Sequence, residues 1–467
     1  MKNILIALVA LVAQCAPSVW AAEAAWPPPP PPGQAISVED TVYGVLRTHR
    51  NLRGMQENRE VLEHEVRRAQ AGFGPRVDVT GRGGLSRYSD ASTRAQDLDD
   101  RMYGLVGVSA QLVQPIWDGF ATRSRVRSAK STLESQKYRV FDTATSLSLD
   151  GIIAHIDLLR RRAIYGLAET NVAHHKELVA QAEDRAALGA DTAADVTQAQ
   201  SRLQRALSSL SEARAALLVA EETYARLTGL PADGKLRPVT MPPQLFPNPK
   251  AVMDLAEKCN PKLAAYLQDI RAARAQRELA DSAFYPTLNL EAGPNYTNRG
   301  GADDRWIYSF DVLGVVRWNI FNSGADVAER RAASARMRQA RQMMHNYADD
   351  LRLDVESTWT NYQAAQEQYT HYSKAIEYNK YTCAAYIEQF QIGKRSILDV
   401  LDAQNELYNS STQAETARGN ILVGAYRLSA LTGNMLPEMS INTRPLGNRP
   451  PRDPHDPREE FAPGWFD

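Results

Sequence analysis

The segment from Phe390 to Gln404 holds the charged residues whose spacing is most suggestive of a function. Asp399 and Asp402 are three residues apart, which places both carboxylates on one face of a helix. Arg395 lies four residues before Asp399 and can form an ion pair with it. Crowded carboxylates disfavour each other's ionisation and attract cations. The same residues also fit an exposed, solvated helix surface, so the pattern alone leaves both interpretations open.

Patterns typical of catalysis are absent from the sequence. His174 and His175 are adjacent and face different directions on a helix, whereas a helical metal pair prefers i,i+4 spacing. The glycine-rich run at 81–84 lies in a strand-like region and opens no helix, so it is not a nucleotide-binding loop. Cys259 and Cys383 can pair in an oxidising compartment, but cysteines on separate helices are more often free and partly buried. We therefore expect no enzymatic activity, cofactor or metal site.

The charge balance excludes one class of partner. The 467 residues include 54 Lys and Arg against 55 Asp and Glu, for a formal net charge of −1. A nucleic-acid-binding protein normally carries a basic excess. We therefore expect no nucleic acid partner. The length itself predicts two or three domains or one large elongated one.

Residues 1–21 are predicted to be a secretory signal peptide. Lys2 supplies the positive charge, and Ile4–Ala13 is an apolar stretch too short to span a membrane. A small-residue cleavage pattern ends at Ala21, and a second one lies a few residues later. Cys15 follows a glutamine where a lipoprotein acceptor needs a small residue, so lipidation is not favoured. The protein is therefore expected to leave the cytoplasm.

Proline-rich segments divide the rest of the chain. The predicted order is a Pro-rich linker at 22–36, a first repeat at 37–230, a linker at 231–250, a second repeat at 251–436 and a flexible tail at 437–467. Each repeat is predicted to contain a helix, two strands, a long helix and a further helix. Pro and Gly at the junctions interrupt the helical and strand periodicities, which is why they define these divisions.

The helices are predicted to be unusually long. The first repeat begins with a helix from about Ser37 to Gln70, and a longer one runs over Ala121–Ala187. The corresponding first helix of the second repeat is predicted over Ala251–Ala283. At about 1.5 Å per residue the longest helix reaches roughly 100 Å, so the molecule must be elongated. The sparse apolar stripe of these helices is typical of narrow coiled-coil seams.

The four strands are predicted to form a sheet with one apolar face. The last strand alternates most clearly. Its apolar positions are Trp306, Tyr308, Phe310, Val312, Val316 and Trp318. Aromatic residues at both ends of an apolar face are typical of a membrane β-barrel, although a sandwich strand of a soluble domain is the alternative. Four strands cannot close such a barrel, so several chains would have to contribute strands.

An internal repeat is the strongest organisational feature of the sequence. The two halves align with an offset of 204 residues. The matched segments are Leu188-Gly189 with Ile392-Gly393, Asp195-Val196 with Asp399-Val400, and Leu227-Thr228-Gly229 with Leu431-Thr432-Gly433. A repeat of this length must be recognised before a fold is assigned, because both halves then build the same unit.

At this point the chain resembles the TolC family of outer-membrane channel proteins. In each repeat a proline, Pro75 or Pro286, leads from helix to strand. A glycine, Gly119 or Gly324, leads from strand back to helix. Residues 390–404 are similar to the most recognisable stretch of that family. The resemblance covers nearly the whole mature chain.

The resemblance implies an α+β membrane protein that assembles as a homotrimer. Each chain would contribute four strands to a β-barrel of twelve in total, which continues into a long periplasmic α-helical barrel. The implied location is the outer membrane of a Gram-negative bacterium, with outer-membrane lipid around the barrel. The implied partners are a periplasmic adaptor protein and an inner-membrane transporter, either ABC-type or proton-driven.

The resemblance also implies a gate at the periplasmic tip. Asp399 and Asp402 match the acidic ring that lines the constriction, and Arg395 matches an arginine that latches the gate. Asp195 matches the gate carboxylate of the first repeat. Phe390 occupies the position of a tyrosine whose hydroxyl bonds across the gate, so that bond cannot form here.

The expected function is that of a passive exit duct. We expect type I protein secretion, because the turn Asp118-Gly119-Phe120 and the residues after it are most similar to family members dedicated to secretion. The alternative is the outer-membrane component of a multidrug or small-molecule efflux pump. A periplasmic adaptor also carries long helical hairpins, but it lacks the two strand pairs between them.

Overall fold

The structure is a computed structural model that describes residues 26–31, 33–87, 89, 91–97, 102–189, 192–299 and 306–446. The predicted signal peptide, with Cys15, lies outside the described residues. So do the start of the Pro-rich linker and residues 447–467 of the predicted tail.

The described chain contains long helices and four strands. The helices are α1 (Val38–Thr48), α2 (Arg50–Gln70), α3 (Ala91–Ala95), α4 (Ala121–Ala187), α5 (Ala193–Thr228), α6 (Pro249–Cys259), α7 (Pro261–Asp281), α8 (Ala325–Gln391), α9 (Ile397–Thr432) and α10 (Met435–Glu438). The strands are β1 (Arg76–Ser86), β2 (Tyr103–Trp117), β3 (Thr287–Arg299) and β4 (Trp306–Arg317). No helix in the described parts of the chain is both long enough and apolar enough to cross a membrane.

The repeat is visible in the helix bounds. Helices α8 and α9 begin and end 204 residues after α4 and α5. The helices that precede the strand pairs, α2 and α7, are instead offset by 211 residues. The same offset separates Pro75 from Pro286. The stretch from the proline to the start of the long helix is therefore seven residues shorter in the second repeat than in the first. The offset of 204 residues predicted from the matched segments is thus confirmed for the helices after each strand pair, and it does not extend to the elements before the strands.

Two helices predicted to be continuous are interrupted. His49 adopts an extended backbone between α1 and α2. Between α6 and α7, Asn260 is extended and Pro261 follows, so the helix cannot continue because proline has no N–H to donate. The Asn260 side chain then accepts a hydrogen bond from the Leu263 N–H at 3.0 Å and caps α7. The Asn-Pro pair was the sequence signal for this break.

The strands form one antiparallel sheet in the order β1-β2-β3-β4. Strands β2 and β3 join the two repeats, with Val108 opposite Tyr296 and Leu112 opposite Ala292. Within this chain β1 and β4 are the outer strands of the sheet, so each presents one edge to a neighbour. The predicted two strands per repeat are confirmed.

The helices pack through narrow apolar seams. One core cluster joins α1, α4 and α9, where Val42, Val140 and Ile152 are fully buried. A second cluster lies near the α4–α5 and α8–α9 turns. Burial of each such side chain contributes about 1.5–3 kcal/mol, so the seams fix the two helical hairpins against each other.

A buried polar group connects the first repeat to the linker that follows it. The Thr41 hydroxyl lies 2.8 Å from His155 Nδ1 and 2.9 Å from the Tyr224 hydroxyl. His155 Nε2 donates a hydrogen bond to the Arg237 carbonyl at 3.0 Å. This donation leaves Nδ1 of a neutral imidazole to accept from Thr41. His155 is fully buried, and burial lowers its pKa.

The protein is expected to lose stability as the pH falls below about 6.5, the ordinary pKa of histidine. The unfolded chain binds a proton on His155 in that range, whereas the folded chain, whose pKa is lowered, does not. His155→Phe should lower the free energy of unfolding by about 2–4 kcal/mol, because Thr41 and the Arg237 carbonyl lose a buried partner. Unfolding measured by circular dichroism at several pH values should also show a shallower pH dependence in this variant.

The control for this prediction is His371→Phe, since His371 is exposed. That variant should keep the stability and the pH dependence of the wild type. An unchanged pH dependence in His155→Phe would contradict the assignment of this proton to His155.

Candidate functional site

One face of the four-stranded sheet is apolar along all its strands. Cross-strand partners in the observed register share a face, so the pairing identifies its members. They are Val77, Val79, Leu85, Val106, Val108, Ala110, Leu112, Leu288, Leu290, Ala292, Tyr296, Trp306, Tyr308, Phe310, Val312 and Val316. Most of these side chains are exposed in the single chain. An exposed apolar surface of this extent marks contact with a membrane or another protein.

The opposite face of the sheet is mainly polar, although Leu105, Val113, Ile307, Leu313 and Val315 also lie on it. It carries Arg76, Asp78, Thr80, Arg82, Ser109, Gln111, Glu291, Asn295, Thr297, Ser309, Asp311 and Arg317. Glu291 accepts a hydrogen bond from Gln111 Nε2 at 3.0 Å and pairs with Arg317 at 2.8 Å. These contacts connect β2, β3 and β4 across the polar face. A sheet with one apolar and one polar face matches a wall between lipid and water.

Aromatic side chains lie near both ends of the apolar face. Tyr296 and Trp306 stack with ring centroids 4.6 Å apart beside the β3–β4 loop. At the other end, Trp318 Nε1 donates a hydrogen bond to the Phe284 carbonyl at 3.2 Å. Aromatic rings with a polar tip prefer membrane interfaces, which supports the predicted girdles.

The turn that connects each strand pair to the long helix after it contains two consecutive residues with positive φ. They are Gly119 and Phe120 in the first repeat, and Ser323 and Gly324 in the second. Gly119 and Gly324 therefore occupy different positions of the same turn. Asp118 caps the first turn of α4, because its carboxylate accepts a hydrogen bond from the Thr122 N–H at 2.7 Å. Pro75 and Pro286 lie directly before β1 and β3.

The helical hairpins end in two similar turns, which we call the tip. Gly189 and Gly393 have φ values of +76° and +73°, as expected for glycine after a helix C-terminus. Leu188 and Ile392 beside them are 86% and 65% exposed. The first turns of α5 and α9 follow directly, so the tip brings together the candidate gate residues of both repeats.

Asp195 acts as a capping residue in this structure. It lies in the first turn of α5, where its carboxylate accepts hydrogen bonds from the Thr192 hydroxyl and N–H. These bonds lower the pKa of Asp195, the side-chain bond most strongly. The Asp195 N–H in turn donates to the Thr192 hydroxyl at 3.2 Å, which completes a capping box. Its gate role stays a prediction.

Arg395 forms the local ion pair expected from its spacing. Its Nη1 lies 3.5 Å from Asp399 Oδ2. Its guanidinium also covers the Tyr386 ring at 4.0 Å from the centroid, and its Nε donates to Gln389 Oε1 at 3.1 Å. These contacts hold Arg395 at the α8–α9 turn.

Asp402 pairs with a residue that the sequence did not suggest. Arg202 Nη2, on α5, lies 2.8 Å from Asp402 Oδ1, on α9. The pair joins the hairpin of the first repeat to the hairpin of the second. Because the two residues are far apart in the chain, no local spacing could have indicated it.

Phe390 is 2% exposed and packs in the seam between the hairpins, with Leu178, Ile397 and Leu401 in the same cluster. Arg185 Nη1 donates to the Phe390 carbonyl at 3.2 Å, and its guanidinium lies 4.6 Å from the ring centroid. Phe390 has no hydroxyl to bond across the gate, and Arg185 connects the two hairpins at this position instead. No local pattern in the sequence indicated this contact. The consequence for the gate stays a prediction.

Two of the cysteines and most of the acidic residues lie in the described parts of the chain. Cys259 and Cys383 form no disulfide, and Cys383 Sγ lies 2.9 Å from Gln404 Oε1. In the described parts of the chain, no group of three or more His, Cys, Asp or Glu residues is arranged to hold a metal ion.

Comparisons with known proteins agree with this geometry. The family model described as outer membrane efflux protein matches residues 42–230 and 252–434. The outer membrane efflux protein BepC of Brucella suis is 27% identical over 407 residues, which cover 86% of this chain and 87% of BepC. The alkaline protease secretion protein AprF of Pseudomonas aeruginosa is 24% identical over 389 residues, with 80% of each chain covered.

Solved structures share the fold at lower identity. The outer membrane protein VceC of Vibrio cholerae has a TM-score of 0.74 and 17% identity, with 85% of this chain and 96% of that chain covered. The predicted fold class and outer-membrane location are confirmed. Proteins of this kind are conduits and not enzymes.

Proposed function

The chain belongs to the outer membrane efflux protein family, and we propose that it is the outer-membrane exit duct of a tripartite system for type I protein secretion. The two-faced sheet is the observation that carries this proposal. Its apolar face suits lipid, its polar face suits a water-filled lumen, and helices of 67 residues extend from it.

We infer that three chains complete the duct. Four strands per chain leave the outer edges of β1 and β4 to be paired, and an unpaired edge is costly in lipid. Three copies would supply twelve strands and close the sheet. The helical hairpins of the three chains would then surround a periplasmic tunnel, with the tip at its entrance.

The duct would act by gating. The tip would be closed at rest and would open when a periplasmic adaptor and an inner-membrane transporter dock. Arg395, Asp399 and Asp402 would line or hold the constriction, and Asp195 would support it by capping α5. The energy for transport would come from the transporter, because the duct itself has no catalytic role.

Two observations support secretion of protein. The turn Asp118-Gly119-Phe120 resembles that of family members dedicated to secretion. AprF, named for alkaline protease secretion, aligns over 80% of the chain. Efflux of small molecules is the second candidate, favoured by the name and the 27% identity of BepC.

The experiment compares the culture medium of a deletion strain with that of its parent by mass spectrometry. Loss of one or a few large proteins from the medium, restored by a plasmid copy of the gene, is the result expected for type I secretion. An unchanged set of secreted proteins together with increased sensitivity to drugs and bile salts would replace secretion by efflux. No change in either property would contradict both.

A further inference from the structure

The two carboxylates at the tip have different kinds of partner. Asp399 pairs with Arg395 at 3.5 Å, four residues earlier in the same segment. Asp402 pairs with Arg202 at 2.8 Å, and this contact crosses from α9 to α5. The first pair therefore moves as one unit when the hairpins shift. The second pair depends on how the two hairpins sit against each other.

The surroundings of Arg202 are polar and partly buried. Its side chain is 29% exposed, whereas that of Asp402 is 62% exposed. His175 on α4 is 3% exposed, and burial, with further contributions from Arg202 and His174, lowers its pKa. The nearby guanidinium of Arg202 thus adds to the effect of burial in disfavouring protonation of His175. The positive charge that faces Asp402 comes from Arg202, whose Nη2 lies 2.8 Å from Asp402 Oδ1.

We infer that Arg202 determines ion selectivity by controlling the charge that Asp402 presents at the constriction. This inference rests on the proposed function as a duct gated at the tip. In the present conformation Arg202 neutralises Asp402. When the hairpins separate, the contact between α5 and α9 breaks and Asp402 becomes a free carboxylate. Opening of the gate would then make the constriction more selective for cations.

The strength of the pair suits a reversible contact. An ion pair with one partner this exposed contributes little to stability, so a modest shift of α5 relative to α9 can separate it. In a three-chain duct the same event would free three carboxylates around one axis. At physiological salt the screening length is about 8 Å, so these charges would act on ions inside a narrow pore and not far beyond it.

The test measures reversal potentials in planar lipid bilayers under a KCl gradient. The variants are Arg202→Gln, Arg202→Lys, Asp402→Asn and the double variant Arg202→Gln/Asp402→Asn. The matched control is Arg205→Gln, since Arg205 is an exposed arginine three residues along the same helix. Assembly of each variant is checked beforehand by cross-linking and gel electrophoresis.

Arg202→Gln should raise the permeability ratio of potassium to chloride by roughly twofold or more, because it frees a carboxylate in each chain. Arg202→Lys should stay close to the wild type because it keeps the charge. In the Asp402→Asn background, Arg202→Gln should have no more effect than Arg205→Gln does.

Two results would overturn the inference. One is an equal change in selectivity in Arg202→Gln and Arg205→Gln, which would reflect the general loss of positive charge. The other is an effect of Arg202→Gln that persists when Asp402 is already Asn. A wild-type protein that forms no channel at all would instead contradict the proposed function, so the two failures are distinguishable.

Discussion

Val312→Arg is expected to abolish assembly of the protein in the outer membrane. Val312 lies near the middle of β4 on the apolar face, opposite Ala292, and its side chain is 58% exposed in the single chain. An arginine on the lipid face costs about 2–4 kcal/mol near the bilayer midplane. Three copies in one assembly would multiply this cost, so the folded chain should be lost from the membrane.

The matched control is Ser309→Arg, on the polar face of the same strand opposite Asn295. This side chain would point into a water-filled lumen and should leave assembly intact. Fractionation of the membranes on a density gradient, followed by immunoblotting, measures both variants. Normal amounts of Val312→Arg in the outer membrane would mean that the apolar face does not contact lipid.

Gly119→Ala is expected to destabilise the protein far more than Gly324→Ala. Both glycines have positive φ, +62° and +82°. An added Cβ at Gly119 would lie 2.8 Å from Tyr285 Cβ and 3.0 Å from the Ser282 carbonyl oxygen, whereas a Cβ at Gly324 would meet nothing within 4 Å. Gly324→Ala should lower the free energy of unfolding by about 1–2 kcal/mol, the ordinary cost of placing an alanine in the left-handed backbone region.

Gly119→Ala adds a backbone displacement to that cost, because the carbonyl of Ser282 cannot move as a flexible side chain does. We expect at least about 3 kcal/mol, which falls among the largest effects of single substitutions. Thermal unfolding of the two purified variants in detergent gives the comparison. Equal melting temperatures would show that the contact between the Gly119 turn and the Ser282–Tyr285 segment does not restrict this position.

Local patterns were sufficient to predict the long helices and the faces of the strands. The bounds predicted for α4, Ala121–Ala187, are those observed, because a glycine turn precedes the helix and Leu188-Gly189 follows it. The alternation of β4 predicted its two faces, since side chains on a strand alternate by geometry alone.

Features that depend on contacts between the repeats could not be predicted. The pairing of Arg202 with Asp402 and the position of Arg185 beside Phe390 arise from how the hairpins pack. Phe390 was interpreted through a missing hydroxyl, whereas its packing in the seam between the hairpins is a tertiary property. The break at Pro261 is different, because the Asn-Pro pair that marks it is a local signal in the sequence.

The most direct test of the account is the ion conductance of the purified wild-type protein in a planar lipid bilayer. The account predicts discrete conductance steps, and chemical cross-linking should identify the conducting species as a trimer. A protein that is folded by circular dichroism and trimeric by cross-linking, yet never raises the conductance of the bilayer, would contradict its function as a duct.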